Sequence, residues 1–247
     1  MEIICLASSS AGNAYLIRNE RRTLLIECGL AFRELREKLL DRKLVGAPIL
    51  LSNIAACLVT HKHGDHARCA KNVAQYTYVV ASRETLEGAD VPRYAKRYPV
   101  QAWQIIDSFP PFRITPFPVE HDCEGAFGFI IEDTETDEKL LFVNDTEFLE
   151  WDFSKHRFTH IMIECNHDDS VVNNGNVVRV ANSHMNVSTT LETLAKLDLE
   201  AVEGIWLMHL SDGSSNEGEM LKAVHDATGK TVYACQKDGG TIKNGDL

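Results

Sequence analysis

The chain opens on short apolar runs separated by polar turns. Residues 3–7, 14–17 and 23–26 each read as a strand, with a Ser-rich turn holding Gly12 and Asn13 after the first. The period then changes. Over residues 31–40, Ala31, Phe32, Leu35, Leu39 and Leu40 recur at helical spacing with charges between them, which predicts an amphipathic helix. Residues 55–60 return to a β-prone run that ends in a His-rich loop, residues 67–75 read as a helix, and residues 78–81 as a strand. Pro92, Pro99, Pro110, Pro111, Pro116 and Pro118 punctuate the middle and argue against long helices there. Residues 128–131 and 140–143, separated by an acidic turn, make a hairpin. Further strands are expected at 161–163, 205–208 and 232–234. Helices are expected at 187–197, with Asn186 or Ser188 as N-cap, and at 217–227, closed by Gly229. Strands in clusters with helices between the clusters predict helices packed outside stacked sheets. No repeat, low-complexity stretch or linker interrupts residues 1–247, so one domain is expected.

Composition narrows the class. The 247 residues are 44% hydrophobic and 25% charged, which excludes a disordered or collagen-like chain and allows a sizeable core. No apolar run approaches the roughly 18 residues of a membrane span, and the first residues lack the basic start of a signal peptide. A cytoplasmic protein with no membrane partner is the expectation. The net charge of −11 argues against a nucleic-acid binder relying on a basic excess, unless bound cations or a local basic patch offset it. Seven cysteines without a C-x-x-C pair predict neither a disulfide framework nor a cysteine zinc site.

The ten histidines carry the candidate chemistry. Thr60–His61–Lys62–His63–Gly64–Asp65–His66 places three histidines and an aspartate directly after an apolar run. In an extended segment, residues i and i+2 point the same way, so His61 and His63 can reach one ion. Asp65 and His66, further round the turn, can reach a second, with Gly64 expected to supply the bend. Imidazole and carboxylate donors suit zinc, with manganese or iron as alternatives. One loop cannot close two sites. His121, Asp145 and His209 each cap an apolar run where a buried strand meets a cleft, and are the expected further ligands.

This set, in this order, resembles the metallo-β-lactamase fold superfamily over nearly the whole chain. The resemblance implies an α/β fold, a four-layer αβ/βα sandwich with a metal site at the sheet edges. It implies that His61, His63 and His121 hold a first divalent ion, that Asp65, His66 and His209 hold a second, and that Asp145 bridges both. Residues 8–17, Ser-Ser-Ser-Ala-Gly-Asn-Ala-Tyr-Leu-Ile, look like the opening of the YycJ/WalJ group. Glu164–Cys165–Asn166–His167–Asp168, Ser183–His184–Met185–Asn186 and His209–Leu210–Ser211 are similar to further segments of that group. Glu27 stands where the group carries an aspartate, Ser183 where it carries glycine, and Asn186 where it carries serine.

The group implies a nuclease with DNA as substrate ahead of RNA, acting as a 5′–3′ exonuclease. It shares the placement of Glu164 and His184 with the tRNA 3′-processing nucleases. On this reading a hydroxide held between two ions roughly 3.5–4 Å apart attacks phosphorus in line. Asp65 orients it and receives its proton. His184 protonates the leaving oxygen, and Glu164 fixes the tautomer of His184 and raises its pKa. Arg179 and His167 are candidate phosphate contacts. An RNA-processing nuclease is the first alternative. A hydrolase of a small ester or thioester is the second, since such enzymes share the Thr60–His66 pattern, and a non-catalytic metal binder is the third.

Overall fold

A computed structural model describes residues 1–167, 184–210 and 216–245. Strands β1 (Glu2–Ala7), β2 (Ala14–Arg18) and β3 (Thr23–Ile26) form an antiparallel meander. It continues in parallel through β4 (Ile54–Leu58), β5 (Tyr78–Ala81) and β6 (Arg97–Pro99) as one six-stranded sheet. The second sheet begins with antiparallel β7 (Ile106–Phe109), β8 (Phe112–Pro118), β9 (Phe127–Asp133) and β10 (Lys139–Val143). It runs parallel through β11 (His160–Glu164), β12 (Gly204–Met208) and β13 (Val232–Cys235), and closes with antiparallel β14 (Thr241–Lys243) to give eight strands.

Among the described residues the α-helices are α1 (Phe32–Leu40), α2 (Arg42–Val45), α3 (Gly64–Ala67), α4 (Ala70–Val73) and α5 (Arg83–Gly88), followed by α6 (Val187–Leu194) and α7 (Glu217–Thr228). They lie outside the two sheets, as the side-chain alternation requires. Leu6, Leu16 and Leu25 face α1 and α4, packing with Leu35, Leu39 and Val73. Their neighbours Cys5, Tyr15, Leu24 and Ile26 face the second sheet and pack with Ile114, Phe129 and Phe142. Leu141, Ile163 and Leu207 face α6 and α7 through Leu194, Met220 and Val224. Strands buried on both faces explain the near-continuous apolar runs of the sequence. The order helix, sheet, sheet, helix is the expected four-layer sandwich.

Most expected elements stand within a residue or two. The helix expected over 67–75 is instead the single turn α4, separated from the turn α3 that ends at Ala67. Cys69 breaks it, because its backbone N–H and its thiol both donate to the Cys28 carbonyl, at 3.0 and 3.2 Å. The helix expected over 187–197 ends at Leu194, with Asn186 as its N-cap accepting from Thr189 N at 2.7 Å. No helix among the described residues is long and apolar enough to cross a membrane.

The parallel strands β10, β11 and β12 end on one edge of their sheet, and β3 and β4 end together in the other. Ligand sites of open α/β sheets form outside such carboxyl ends. Residues 27, 60–66, 121, 145, 164–167 and 209 all follow or finish strands there.

Candidate metal centre

His61 and His63 leave β4 two residues apart, and His121 leaves β8. His61 Nε2 lies 3.1 Å from His63 Nδ1, and His121 Nε2 lies 3.2 Å from the same atom. One Nδ1 carries one in-plane proton or one lone pair, so it cannot satisfy both rings. Donors held 2.0–2.1 Å from a tetrahedral ion lie roughly 3.3–3.4 Å apart. The three nitrogens therefore fit a shared cation.

A second set lies alongside. His66 Nε2 is 3.3 Å from Asp65 Oδ2 and 3.0 Å from Asp145 Oδ2, and His209 Nε2 is 3.4 Å from Asp65 Oδ2. Asp145 Oδ2 also lies 3.7 Å from His61 Nε2, so one carboxylate reaches both sets. Its Oδ1 is buried with no hydrogen-bond partner, an arrangement that is costly without a cation. Beside it, His184 Nδ1 faces Glu164 Oε1 at 2.5 Å, and Glu164 Oε2 accepts from the backbone N–H of Thr146 and Met185 at 3.1 and 3.3 Å. All the expected metal ligands, together with Glu164 and His184, thus converge on one place.

The surroundings set each ligand's orientation. Thr60 Oγ1 meets His61 Nδ1 at 2.9 Å, and Asp122 Oδ1 lies 3.4 Å from His63 Nε2 and 3.3 Å from His121 Nε2. Glu27 Oε1 stands 3.3 Å from His66 Nδ1, and its oxygens accept from Thr60 N at 3.4 Å. The longer carboxylate still spans the metal loop. The opening turn acts from the other side: Asn13 N donates to Asp65 O at 2.7 Å, and His209 N donates to Ser8 Oγ at 2.8 Å. Asn166 Nδ2 donates to His209 O at 3.0 Å and approaches His209 Nδ1 at 2.8 Å. Such outer contacts fix ring orientation and tune ligand strength.

Glu27, Asp145 and His209 have φ of 64°, 49° and 56°. Left-handed backbone is disfavoured for residues other than glycine and costs of order 1–3 kcal/mol each. Here it turns each side chain off its strand end into the cluster. Gly64, expected to supply the bend, has no such φ, and a Cβ on it would meet nothing within 4 Å. The loop's glycine is Gly29, where a Cβ would come 1.6 Å from Asp65 O.

Charge in the cluster is finely opposed. Burial favours the neutral form of Asp65, but hydrogen bonds from His209 and His66 overcome it and hold the carboxyl well below the usual range. Burial likewise opposes ionisation of Asp145, and His209 and His66 outweigh it. Burial disfavours a charged His209, yet Asp145, Asp65 and Glu164 push it up to about 10. His66 moves the same way against burial, through Asp145 and Glu27. Burial pushes His61 and His121 down, which leaves them as neutral imidazoles suited to ligation. Buried carboxylates thus call for positive charge that protons provide here and that divalent ions can provide instead.

Other expected residues fall elsewhere. His167 is buried and outside the candidate donor groups found among the described residues; its backbone pairs with Asn186, and it is not a solvated loop histidine. Arg179 and Ser183 lie outside the described residues. His160 stacks on Trp206 and His156 on Phe158, both structural. All seven cysteines are free, as expected. Cys123 was missed: its thiol lies within 4.8 Å of the donor atoms of His61, His63 and His121. Its signal in the sequence is the i+2 spacing from His121. Asn13, Thr60 and Asn166 also gained roles that spacing alone did not assign.

Two facing sheets with histidines and carboxylates gathered at their strand ends define a metal-dependent hydrolase of the metallo-β-lactamase fold. The chain belongs to the family of the beta-lactamase superfamily domain, whose model matches residues 22–210. Among solved structures it is similar to the metallo-beta-lactamase fold protein YhfI from Bacillus subtilis, with TM-score 0.74 and 16% identity over 98% of each chain. It is similar to Zn(2+)-bound PqqB from Methylobacterium extorquens, with TM-score 0.73 and 15% identity over 98% of this chain and 99% of that one. It is also similar to the short form of human tRNase Z, with TM-score 0.61 and 15% identity over 86% of this chain and 93% of that one. A comparison with curated protein sequences found no match.

Proposed function

We propose that this chain is a phosphodiesterase that takes up two divalent ions and cleaves nucleic acid, DNA ahead of RNA, as a 5′–3′ exonuclease of the YycJ/WalJ kind. The observation that carries this reading is the Glu164–His184 pair, 2.5 Å apart beside the ligands Asp145 and His209. An alkoxide leaving from phosphorus needs a proton donor, which a histidine held protonated at the cluster edge supplies, whereas the thiolate of a thioester leaves without one. The resemblance of residues 8–17 and 164–168 to that group supports the same reading. The fold likeness to human tRNase Z supports the runner-up, a tRNA 3′-end substrate.

Two divalent ions, zinc or else manganese or iron, would sit on His61, His63 and His121 and on Asp65, His66 and His209, with Asp145 between. They supply Lewis acidity toward a phosphoryl oxygen and a water that ionises near neutral pH. The residues do the rest. Asp65 is 23% exposed at its side chain, enough to meet the attacking water and orient it. Its depressed pKa suits passing the proton on better than storing it. His184 is 18% exposed at its side chain and raised in pKa: burial opposes the charge, and Glu164 overcomes it. With Nδ1 committed to Glu164, Nε2 holds the proton for the leaving oxygen. Arg179 and His167 are the proposed phosphate contacts.

The test is metal analysis of the purified protein coupled to assays on end-labelled single- and double-stranded DNA and RNA, a tRNA precursor and a thioester. About two ions per chain and 5′–3′ release of nucleotides from DNA are expected. Turnover of the thioester alone would sink the phosphodiesterase reading, and preference for the tRNA precursor would transfer it to RNA.

A further inference from the structure

We propose that Cys123 is a further protein ligand of the first ion, so that this site is a His61–His63–His121–Cys123 set joined to the bridging Asp145. The proposal rests on the two-ion reading above and adds to it a donor of a different chemical kind. Its thiol lies within 4.8 Å of one nitrogen of each of the three histidines, whose rings already meet at 3.1 and 3.2 Å. The three nitrogens and the bridging Asp145 supply four donors, and the sulfur stands with the same histidines as a fifth, a number that zinc accepts. Cys123 is half-buried, and so reachable by an entering ion. The other candidate donor groups among the described residues contain no cysteine. Asp122, the rival donor on the same loop, lies 3.4 Å from His63 Nε2 and 3.3 Å from His121 Nε2, so sulfur in the ion's shell is what separates Cys123 from it.

Ligation breaks the S–H bond and forms a sulfur–metal bond, and the proton passes to solvent. The soft donor inclines the first site toward zinc and cobalt over manganese, while the carboxylate-rich second site keeps no such preference.

Cobalt(II) loading of the full chain tests this. The expected spectrum has a near-ultraviolet sulfur-to-cobalt charge-transfer band beside the visible bands of the bound ion. Cys123→Ser is expected to lose the near-ultraviolet band, keep two bound ions, and release one proton fewer on loading. On the zinc-loaded protein, X-ray absorption should show a sulfur neighbour at about 2.3 Å. Two bound cobalt ions without the near-ultraviolet band, or a band that survives in Cys123→Ser, would overturn the assignment. Should Cys123→Ser fail to fold, the native zinc absorption spectrum decides alone: a shell of nitrogen and oxygen without sulfur overturns it. Failure of the wild-type chain to bind cobalt or zinc at all would instead overturn the two-ion reading, and this assignment with it.

Discussion

His184 and His209 are neighbouring rings, stacked 5.2 Å apart, yet their surroundings give them different work. His184 keeps Nδ1 on Glu164 and part of its ring in solvent; His209 is buried and turns Nε2 to Asp65. If His184 supplies the leaving-group proton, His184→Ala lowers kcat on nucleic acid by about 10²–10⁴-fold while both ions stay bound. Full turnover in His184→Ala, with turnover lost in His61→Ala, would remove that role. Glu164→Gln takes away the charge that raises His184, so the alkaline limb of the kcat profile moves to lower pH. An unmoved limb would mean that Glu164 does not act through the ring. His209 makes a separate prediction for the metal-free protein. Its folded pKa of about 10 lies above the ordinary histidine value of about 6.5. The stability its proton confers is fully present below about 6.5 and is lost as pH rises through about 10. In chelator, the difference in Tm between wild type and His209→Gln should shrink from pH 6 to pH 10, read by thermal denaturation. A constant difference would contradict the assignment.

At the scale of elements, the loop between β4 and α4 depends on close approach rather than on its own flexibility. Gly29→Ala drives a Cβ into the Asp65 carbonyl and should cost more than about 3 kcal/mol, with loss of metal binding. Gly64→Ala has room and should lie within about 1 kcal/mol of wild type. Urea unfolding and metal titration of the two variants compare them directly. The sequence showed the wrong glycine because a bend is suggested by position, whereas the contact between Gly29 and Asp65 spans long-range packing. The same division explains what was legible. Strands buried on both faces, such as β2, β10 and β12, announce themselves by apolar runs. Ligands at strand ends announce themselves by the runs they finish. β6, β7 and β14 are short and carry polar residues or proline at sheet edges, so no periodicity marked them. Helix α5 was missed too; its start is marked by Ser82, whose side chain accepts from Thr85 N at 3.0 Å. Cys123 and Asn166 were hidden for another reason: their roles come from what stands opposite them in space, which spacing along the chain does not carry.

Over the whole molecule, charge and metal content are linked. On the proposed reading, two divalent ions would take the formal net charge from −11 to about −7 and place the added charge at the strand ends, where a phosphate would approach. Binding of nucleic acid should then rest on few phosphate contacts. We expect a shallow salt dependence, with a slope nearer two than six, measured by titration between 50 and 200 mM salt. A steep slope would reveal a basic surface that the charge balance does not suggest. Ion removal should also lower stability. With free metal at a hundred times Kd, each site adds about 2.7 kcal/mol, so chelation should lower Tm measurably and readdition restore it.

A chain of contacts runs from His209 through Ser8 to the hydroxyl of Tyr15, on to Asn13 and then Asp65, crossing from the end of β12 to the loop after β4. Those two strands belong to different sheets. Cations held as proposed would therefore act as a rivet through both halves of the sandwich. Loosening the seam between the sheets anywhere along its length should loosen the grip on the ions, even where the altered side chain touches none of their ligands.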